Sequence, residues 1–239
     1  KSYIGKQISF TFARWINDSD AILDEINTCF SDASLVVRSS SKGEDGWYFS
    51  NAGGFQSLLN VNGGDRLIVR ESIEIVLASY GKNHNGKDQV LVQECLQSFR
   101  VSGVVFTCSL ETGAPYYHFN FDDKTHSTES VTSGTKADLR TIIVSRFKPE
   151  YLNKIEPKIV PVLHAVQELE QLLGFDKLDI EFAIDENGHV HIFQVRPITV
   201  DHSEYEVDSK SIDNSLKDSV LRFQTQQNPS PFVYGEKTI

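Results

Sequence analysis

Residues 178–197 run Leu178-Asp179-Ile180-Glu181-Phe182-Ala183-Ile184-Asp185-Glu186-Asn187-Gly188-His189-Val190-His191-Ile192-Phe193-Gln194-Val195-Arg196-Pro197. An Asn-Gly pair between two apolar, alternating segments is the strongest short-range signal for a β-hairpin. If Asn187 and Gly188 form a two-residue turn, Glu186 faces His189 and the strands pair outward from that point. The stretch therefore predicts a hairpin, and also which of its side chains face one another.

Four polar side chains gather on one face of the predicted hairpin. The turn places Glu181 opposite Gln194 and Asp179 opposite Arg196, and partners across a strand pair share a face. Since alternate residues of a strand also share a face, both carboxylates lie together. The opposite face is apolar and carries Ile180, Phe182, Ile184, Phe193 and Val195.

This polar cluster has two explanations. Carboxylate and amide oxygens in one small volume suit Mg²⁺, which prefers oxygen ligands and shares them with phosphates. A neighbouring arginine can then pair with a phosphate oxygen. Alternatively, the side chains form a surface ladder in which Asp179 and Arg196 make a salt bridge worth ~0–1 kcal/mol. The hairpin geometry alone leaves both explanations open.

The composition is that of an ordinary soluble globular protein, with 239 residues, of which 39% are hydrophobic and 23% charged. A net charge of −10 argues against non-specific nucleic-acid binding, which depends on lysine and arginine. No apolar run approaches the roughly 18 residues of a membrane helix. The three scattered cysteines fit reduced thiols better than a disulfide framework. We therefore expect a cytoplasmic protein with neither a nucleic acid nor a membrane as partner.

Hydrophobic periodicity predicts many antiparallel strands interleaved with a few helices, which favours an α+β fold over a doubly wound parallel one. The predicted strands are 7–12, 35–38, 57–61, 89–95, 103–108, 116–121 and 139–144, and the predicted helices are 18–30, 65–80 and 149–173. Pro161 inside the last helix predicts a kink or break there. Beyond about residue 200 the chain is polar and weakly periodic, which indicates a connector.

A second candidate segment begins at Arg38, which ends a buried strand and opens a loop of hydroxyl and glycine residues. This loop includes Ser39, Gly53 and Gly54. Backbone N–H groups and hydroxyls in such a loop can bind phosphate. A plain Ser/Gly turn with Arg38 in a structural ion pair explains the same pattern.

A third candidate segment is the end of an apolar strand at Gln93-Glu94, which could present a carbonyl and an amide to a purine edge. An ordinary strand end explains the same residues and is the simpler explanation of this segment taken alone. No GxGxxG and no GxxxxGK[ST] sequence is present, so the two commonest phosphate loops are excluded.

These segments occur in the order of the motifs of one family. Val37-Arg38-Ser39-Ser40-Ser41 with Glu44-Asp45 resembles the VRSSAxxED motif of phosphoenolpyruvate synthase and pyruvate phosphate dikinase. Three further matches are Ala52-Gly53-Gly54-Phe55 with Leu59-Asn60-Val61, Val92-Gln93 with Ser102-Gly103-Val104-Val105-Phe106-Thr107, and 179–184 with 192–197. They are similar to the family's AGQ…LNV, VQxM…AGVxFT and DIEWAI…ILQxRP segments. The match spans roughly residues 34–200.

The resemblance implies an ATP-grasp domain of the α+β class, in which two subdomains with mixed or antiparallel sheets and flanking helices clamp ATP. It implies an N-terminal subdomain at residues 1–88, incomplete at its start, and a C-terminal subdomain at 89–200. Residues 201–239 would then link to a downstream domain.

The resemblance also implies roles for individual residues. Glu181 and Gln194 would hold Mg²⁺, and Asp179 would support the metal and nucleotide end. The residues expected to bind ATP are Arg38, Ser39, Gly53, Gly54, Gln93, Glu94, Asp179 and Arg196. Of these, Arg38 and Arg196 are the expected catalytic residues, because they bind the phosphates and their developing charge.

In this family ATP is cleaved to AMP, and a phosphoryl group passes through a histidine on a separate domain to an acceptor. The family's GGKxxNL segment and its phosphohistidine segment are absent from the 239 residues. We therefore expect a fragment of an ATP-dependent phosphotransferase whose partners are ATP and its own downstream phosphohistidine domain. The alternative is a non-catalytic nucleotide-binding module of the same fold.

The acceptor implied by the family is pyruvate or another small metabolite. The loop Ser109-Leu110-Glu111-Thr112-Gly113-Ala114-Pro115-Tyr116-Tyr117 is unlike that of typical pyruvate enzymes. It looks more like a branch associated with sugar or capsule biosynthesis, which includes an L-glutamine kinase. L-Glutamine is therefore a second expected acceptor.

Overall fold

Two main antiparallel sheets, each with helices packed on it, make up the fold. The computed structural model describes residues 2–40, 45–46, 49–50, 56–81, 86–124, 139–199 and 209–226. One sheet has four strands and the other has five. The predicted α+β class, with two sheets and flanking helices, is confirmed.

The four-stranded sheet and its helices form what we call the first lobe. Its strands are β1 (Gln7–Thr11), β2 (Ser34–Ser40), β5 (Ser57–Asn62) and β6 (Gln89–Glu94), in the order β1-β6-β2-β5. Two short strands, β3 (Asp45–Gly46) and β4 (Phe49–Ser50), pair with each other. Helices α1 (Phe12–Phe30) and α2 (Arg66–Ser79) cover one face of the four-stranded sheet, and their buried residues form one core with it.

Local signals explain where these helices begin. The Asp65 carboxylate accepts backbone N–H groups of Leu67 and Ile68 at 2.9 and 3.2 Å, so α2 is capped as its sequence predicted. Helix α1 starts at Phe12, before the predicted residue 18, and Thr11 caps it. Asp18 has non-helical dihedral angles inside α1 and accepts the Ala21 N–H, so the sequence signal marked the second half of a kinked helix.

The five-stranded sheet forms the second lobe. Its strands are β7 (Phe99–Phe106), β8 (Tyr116–Asp122), β9 (Arg140–Ser145), β10 (Leu178–Asp185) and β11 (Val190–Pro197), in the order β11-β10-β7-β8-β9. Helices α3 (Leu152–Ile155) and α4 (Val160–Leu173) lie on one face. Phe119, Phe121 and Phe182 are fully buried between this face and the helices.

The helix predicted at 149–173 is interrupted. Short 3₁₀ turns at Pro149–Tyr151 and Pro157–Ile159 flank α3, and the backbone leaves the helical region at Glu156. A residue that precedes proline avoids the helical region, which explains the break before Pro157. Pro161 lies in the first turn of α4, where its missing N–H costs no hydrogen bond.

The two sheets divide between Glu94 and Phe99. Strand β6 pairs with β1 and β2 of the first lobe, although the sequence placed residues from 89 onward in the second subdomain. Tyr3 makes a second connection between the lobes, because its N–H donates to Val190 O at 2.7 Å and its carbonyl accepts the Ile192 N–H at 3.0 Å. The first lobe is thus anchored at the edge of β11.

Helix α5 (Ser209–Gln226) lies in the segment that the sequence assigned to a connector. Val220, Leu221 and Phe223 on this helix are exposed. Its few apolar positions are separated by serine, lysine and aspartate, which made the helical period weak. None of the described helices is both long and apolar enough to cross a membrane.

Candidate functional site

The hairpin β10–β11 brings together the four polar residues that the sequence singled out. Asp179 pairs with Arg196 and Glu181 pairs with Gln194. All four are partly buried on the face of the sheet that looks away from α4. The predicted pairing of these residues is therefore confirmed.

The turn itself differs from the prediction. The N–H of Asp185 donates to His189 O, and Gly188 has a φ of 85°, so the loop contains three residues rather than two. A β-bulge between Glu181 and Phe182 then shifts the register back by one residue. Phe182 consequently pairs with Ile192, which joins the core in place of the predicted Phe193.

Arg38 reaches this cluster from the other lobe. Its Nη2 donates a hydrogen bond to Gln194 Oε1, and its Nη1 lies 3.7 Å from Glu181 Oε2. The Arg38 and Glu181 side chains are 12% and 22% exposed, so the ion pair is largely shielded from water. Two segments that the sequence treated separately thus meet between the sheets.

Gln194 is the centre of this arrangement. Besides the bond from Arg38, its Oε1 accepts a hydrogen bond from Arg196 Nη2 at 2.6 Å. Asp179 lies directly opposite Arg196 in the strand register. The site therefore combines two guanidinium groups with two carboxylates around one amide oxygen.

The other predicted site residues are placed differently. Ser39 is buried on the face of β2 opposite to Arg38, because adjacent residues of a strand point to opposite faces and Ser39 shares the buried face of Val37. Gln93 shares the Arg38 face of the first sheet, and its Nε2 donates to Gln7 Oε1 at 3.1 Å. Glu94 is exposed at the end of β6. Gly53 and Gly54 lie outside the described residues.

The same face of the second lobe extends beyond the predicted cluster. Phe106 pairs with Asp179, and His118 pairs with Phe106, so they form one row across the sheet. In the next row Thr141 donates a hydrogen bond to Asn120 Oδ1 at 2.7 Å. Burial lowers the pKa of His118. His118 lies between the apolar residues Tyr117 and Phe119, which face the core. Strand alternation therefore could have placed His118 on the opposite face.

The donor set fits Mg²⁺ that is shared with phosphates. Among the described residues no group of three or more His, Cys, Asp and Glu side chains could hold a metal by itself. Mg²⁺ usually uses only one or two protein ligands and takes the rest from phosphates and water. Glu181 and Gln194, which face each other in the register, supply two oxygen ligands of this kind.

Comparisons with known proteins find solved structures that are similar to this chain at low sequence identity. The chain is similar to the VanG D-Ala:D-Ser ligase from Enterococcus faecalis (TM-score 0.43, 13% identity, 82% of this chain and 48% of that chain). It is similar to the D-alanine-D-alanine ligase from Coxiella burnetii (TM-score 0.43, 10% identity, 94% and 54%). A third similar structure is a Chryseobacterium gregarium RiPP-associated ATP-grasp ligase in complex with ADP (TM-score 0.44, 9% identity, 92% and 55%).

The chain spans about half the length of these ligases. No protein-family model and no curated protein matches the chain.

Proposed function

We propose that this chain is the ATP-binding part of an ATP-grasp phosphotransferase, with the nucleotide held between the two lobes. The observation that carries the proposal is the contact of Arg38 in the first lobe with Glu181 and Gln194 in the second. A metal-bound polyphosphate requires oxygen ligands for its metal and a guanidinium group for its phosphates. The second lobe offers the former and Arg38 of the first lobe the latter.

The residues divide the work by their chemistry. Glu181 and Gln194 hold Mg²⁺, which neutralises phosphate charge when it is bound. Arg38 and Arg196 donate N–H groups to phosphate oxygens from the two sides of the cleft. Asp179 lies beside Arg196 and orients that end of the site. Phosphoryl transfer depends on such positioning and charge neutralisation more than on covalent chemistry by the protein.

Gln93 is the remaining candidate for the adenine end. It lies on the Arg38 face of the first sheet, close to where the chain passes into the second lobe. Its side-chain amide N–H donates to Gln7, and we assign its side-chain carbonyl and the strand end to the purine. The exposed Glu94 follows it directly.

The finer assignment rests on the motif resemblance. We propose that ATP is cleaved to AMP, and that a phosphohistidine domain outside this chain carries the phosphoryl group to pyruvate or to L-glutamine. Residues 2–94 and 99–199 are the two subdomains in this proposal, and the enzyme works in the cytoplasm. A non-catalytic module of the same fold would bind ATP without forming AMP, so phosphorus NMR of a protein that includes both domains distinguishes the two.

Calorimetric titration with Mg-ATP tests the binding proposal. We expect wild-type protein to bind and Glu181→Gln to bind about tenfold more weakly or worse, because a metal ligand is lost. Glu25→Gln is the matched control, because Glu25 pairs with Arg14 on the outer helix α1, and we expect it to behave as wild type. Equal affinity of wild type and Glu181→Gln for Mg-ATP would contradict the proposal.

A further inference from the structure

The hydrogen-bonding capacity of Gln194 Oε1 is fully used in the structure. An amide oxygen has two lone pairs, and this one accepts from Arg38 Nη2 and from Arg196 Nη2. A cation that binds this oxygen must therefore displace at least one of the two arginines.

Arg38 is the arginine that a cation displaces. Glu181 Oε2 is 3.7 Å from Arg38 Nη1, so a cation bound by Glu181 and Gln194 competes with Arg38 at both positions. Arg196 is next but one to Gln194 on the same strand, and its position does not depend on the lobes. A cation thus exchanges with an arginine that joins the two lobes.

We propose that Arg38 is a latch: it holds the lobes together through Gln194 and Glu181, and it alternates with the divalent cation at those oxygens. This proposal rests on the proposed function, and it adds that Arg38 leaves Gln194 and Glu181 when a cation binds there. A cation that binds without a nucleotide has to displace Arg38 from Gln194 and Glu181, and it offers the displaced guanidinium no new partner. A cation that binds as a nucleotide complex brings phosphate oxygens, which accept the hydrogen bonds of the displaced Arg38.

The latch makes an unusual prediction about metal affinity. Removing Arg38 strengthens binding of the free cation, because its competitor is gone, but weakens binding of the cation–nucleotide complex, because a phosphate ligand is gone. A residue that only bound phosphates would produce the second effect without the first.

Paramagnetic resonance of Mn²⁺ measures both affinities. We expect Arg38→Gln to bind Mn²⁺ alone about tenfold more tightly than wild type, the size expected for releasing a charged hydrogen bond, and to bind Mn-ATP more weakly. Arg14→Gln removes an arginine that pairs with Glu25 on α1, and we expect it to match wild type in both titrations.

Tighter Mn²⁺ binding by Arg38→Gln could also follow from the loss of a positive charge near the site. Distances between spin labels on the two lobes distinguish that explanation from the latch. Exposed positions on opposite lobes are Glu74 on α2 and His164 on α4, labelled as Glu74→Cys and His164→Cys in protein that carries Cys29→Ser; Cys95 and Cys108 are buried. We expect Arg38→Gln to lengthen the distance, and Mg²⁺ alone to lengthen it in wild type. Gln194→Leu changes no charge and should lengthen it as well, whereas Arg196→Gln should not.

The outcomes identify which idea fails. Wild-type protein that does not bind Mn-ATP overturns the proposed function together with the latch. Mn-ATP binding with unchanged Mn²⁺ affinity in Arg38→Gln overturns the latch alone. An unchanged label distance in both Arg38→Gln and Gln194→Leu overturns it too, whatever the metal affinities are.

Discussion

Arg38 and Gln194 are 156 positions apart in the sequence, lie in different sheets and are joined by a hydrogen bond. This bond joins strand β2 of the first lobe to the β10–β11 hairpin of the second, so that two separate sequence patterns contribute to one site. We expect Gln194→Leu to weaken Mg-ATP binding about tenfold, because a metal ligand is lost. Calorimetry measures this, and Gln97→Leu is the control in the connector between the lobes.

A close approach between two strands fixes the centre of the second sheet. A Cβ atom on Gly103 would lie 2.4 Å from Asn120 O and 2.7 Å from Phe121 Cβ. Gly103→Ala therefore has to push β8 away from β7, and we expect it to lower the free energy of unfolding by about 1–3 kcal/mol. Urea unfolding measures the loss. Gly5→Ala meets no atom within 4 Å and should cost much less; equal losses in both variants would contradict this explanation.

A largely buried network connects α4 to β8 and to the residue that follows β9. Arg146 Nη1 lies 2.6 Å from Glu170 Oε1, and Tyr117 Oη donates to Glu170 Oε2 at 2.9 Å. Burial raises the pKa of Tyr117 to about 12 and also raises the pKa of Glu170. We expect Arg146→Ala to cost about 1–3 kcal/mol, because it leaves a largely buried carboxylate without its cation.

The same variant has a predicted pH dependence. An acid whose pKa is raised on folding prefers its neutral form in the folded protein, so its ionisation opposes folding as pH rises. Loss of Arg146 increases that penalty for Glu170, and the variant should be most destabilised near about pH 8 and less near about pH 5. Arg14→Ala removes an exposed pair with Glu25 and should cost only ~0–1 kcal/mol at either pH. A pH-independent loss in Arg146→Ala would contradict the account.

The hairpin tip carries a second pH-dependent contact. Burial raises the pKa of Asp185, but the His189 N–H, the His191 and His189 side chains and the Asn187 N–H outweigh it and hold that pKa well below its usual range. A carboxylate whose pKa is lowered on folding stabilises the fold at pH values above its unfolded pKa of 3.8, and this stabilisation is lost as the pH falls below that value.

We therefore expect Asp185→Asn to be less stable than wild type at neutral pH, with the difference shrinking below about pH 4. Denaturant unfolding across this range measures it. Glu186→Gln is the control from the same loop, because Glu186 pairs with Arg100 at the surface. A difference that stays constant with pH would show that the ionised carboxylate is not the cause.

The hairpin shows how much of the site the sequence could predict. The pairs Asp179–Arg196 and Glu181–Gln194 are as predicted, but two register shifts cancel between them and the turn. The three-residue loop shifts the pairing by one residue. The bulge opposite Glu181 and Phe182, which leaves Phe193 out of the register, shifts it back. Alternation and an Asn-Gly signal contain no information about a bulge. The sequence therefore could not predict that Ile192, rather than Phe193, joins the core.

Long-range contacts set the other limit. Local patterns identified Arg38 and the hairpin as candidates, but only the packing of two lobes shows that they touch. Ser39 followed Arg38 in the same motif and yet lies on the other face of β2, a consequence of strand alternation that was available from the sequence. His118 was missed although its strand was predicted, because its neighbours across the sheet were unknown.

A crystal structure with Mg²⁺ and a non-hydrolysable ATP analogue tests the central claim most directly. The account predicts one Mg²⁺ bound to Glu181 and to Gln194 Oε1, with Arg38 moved from these atoms onto a phosphate oxygen. A nucleotide bound elsewhere on the chain, or a Mg²⁺ ion that touches neither Glu181 nor Gln194, would contradict it.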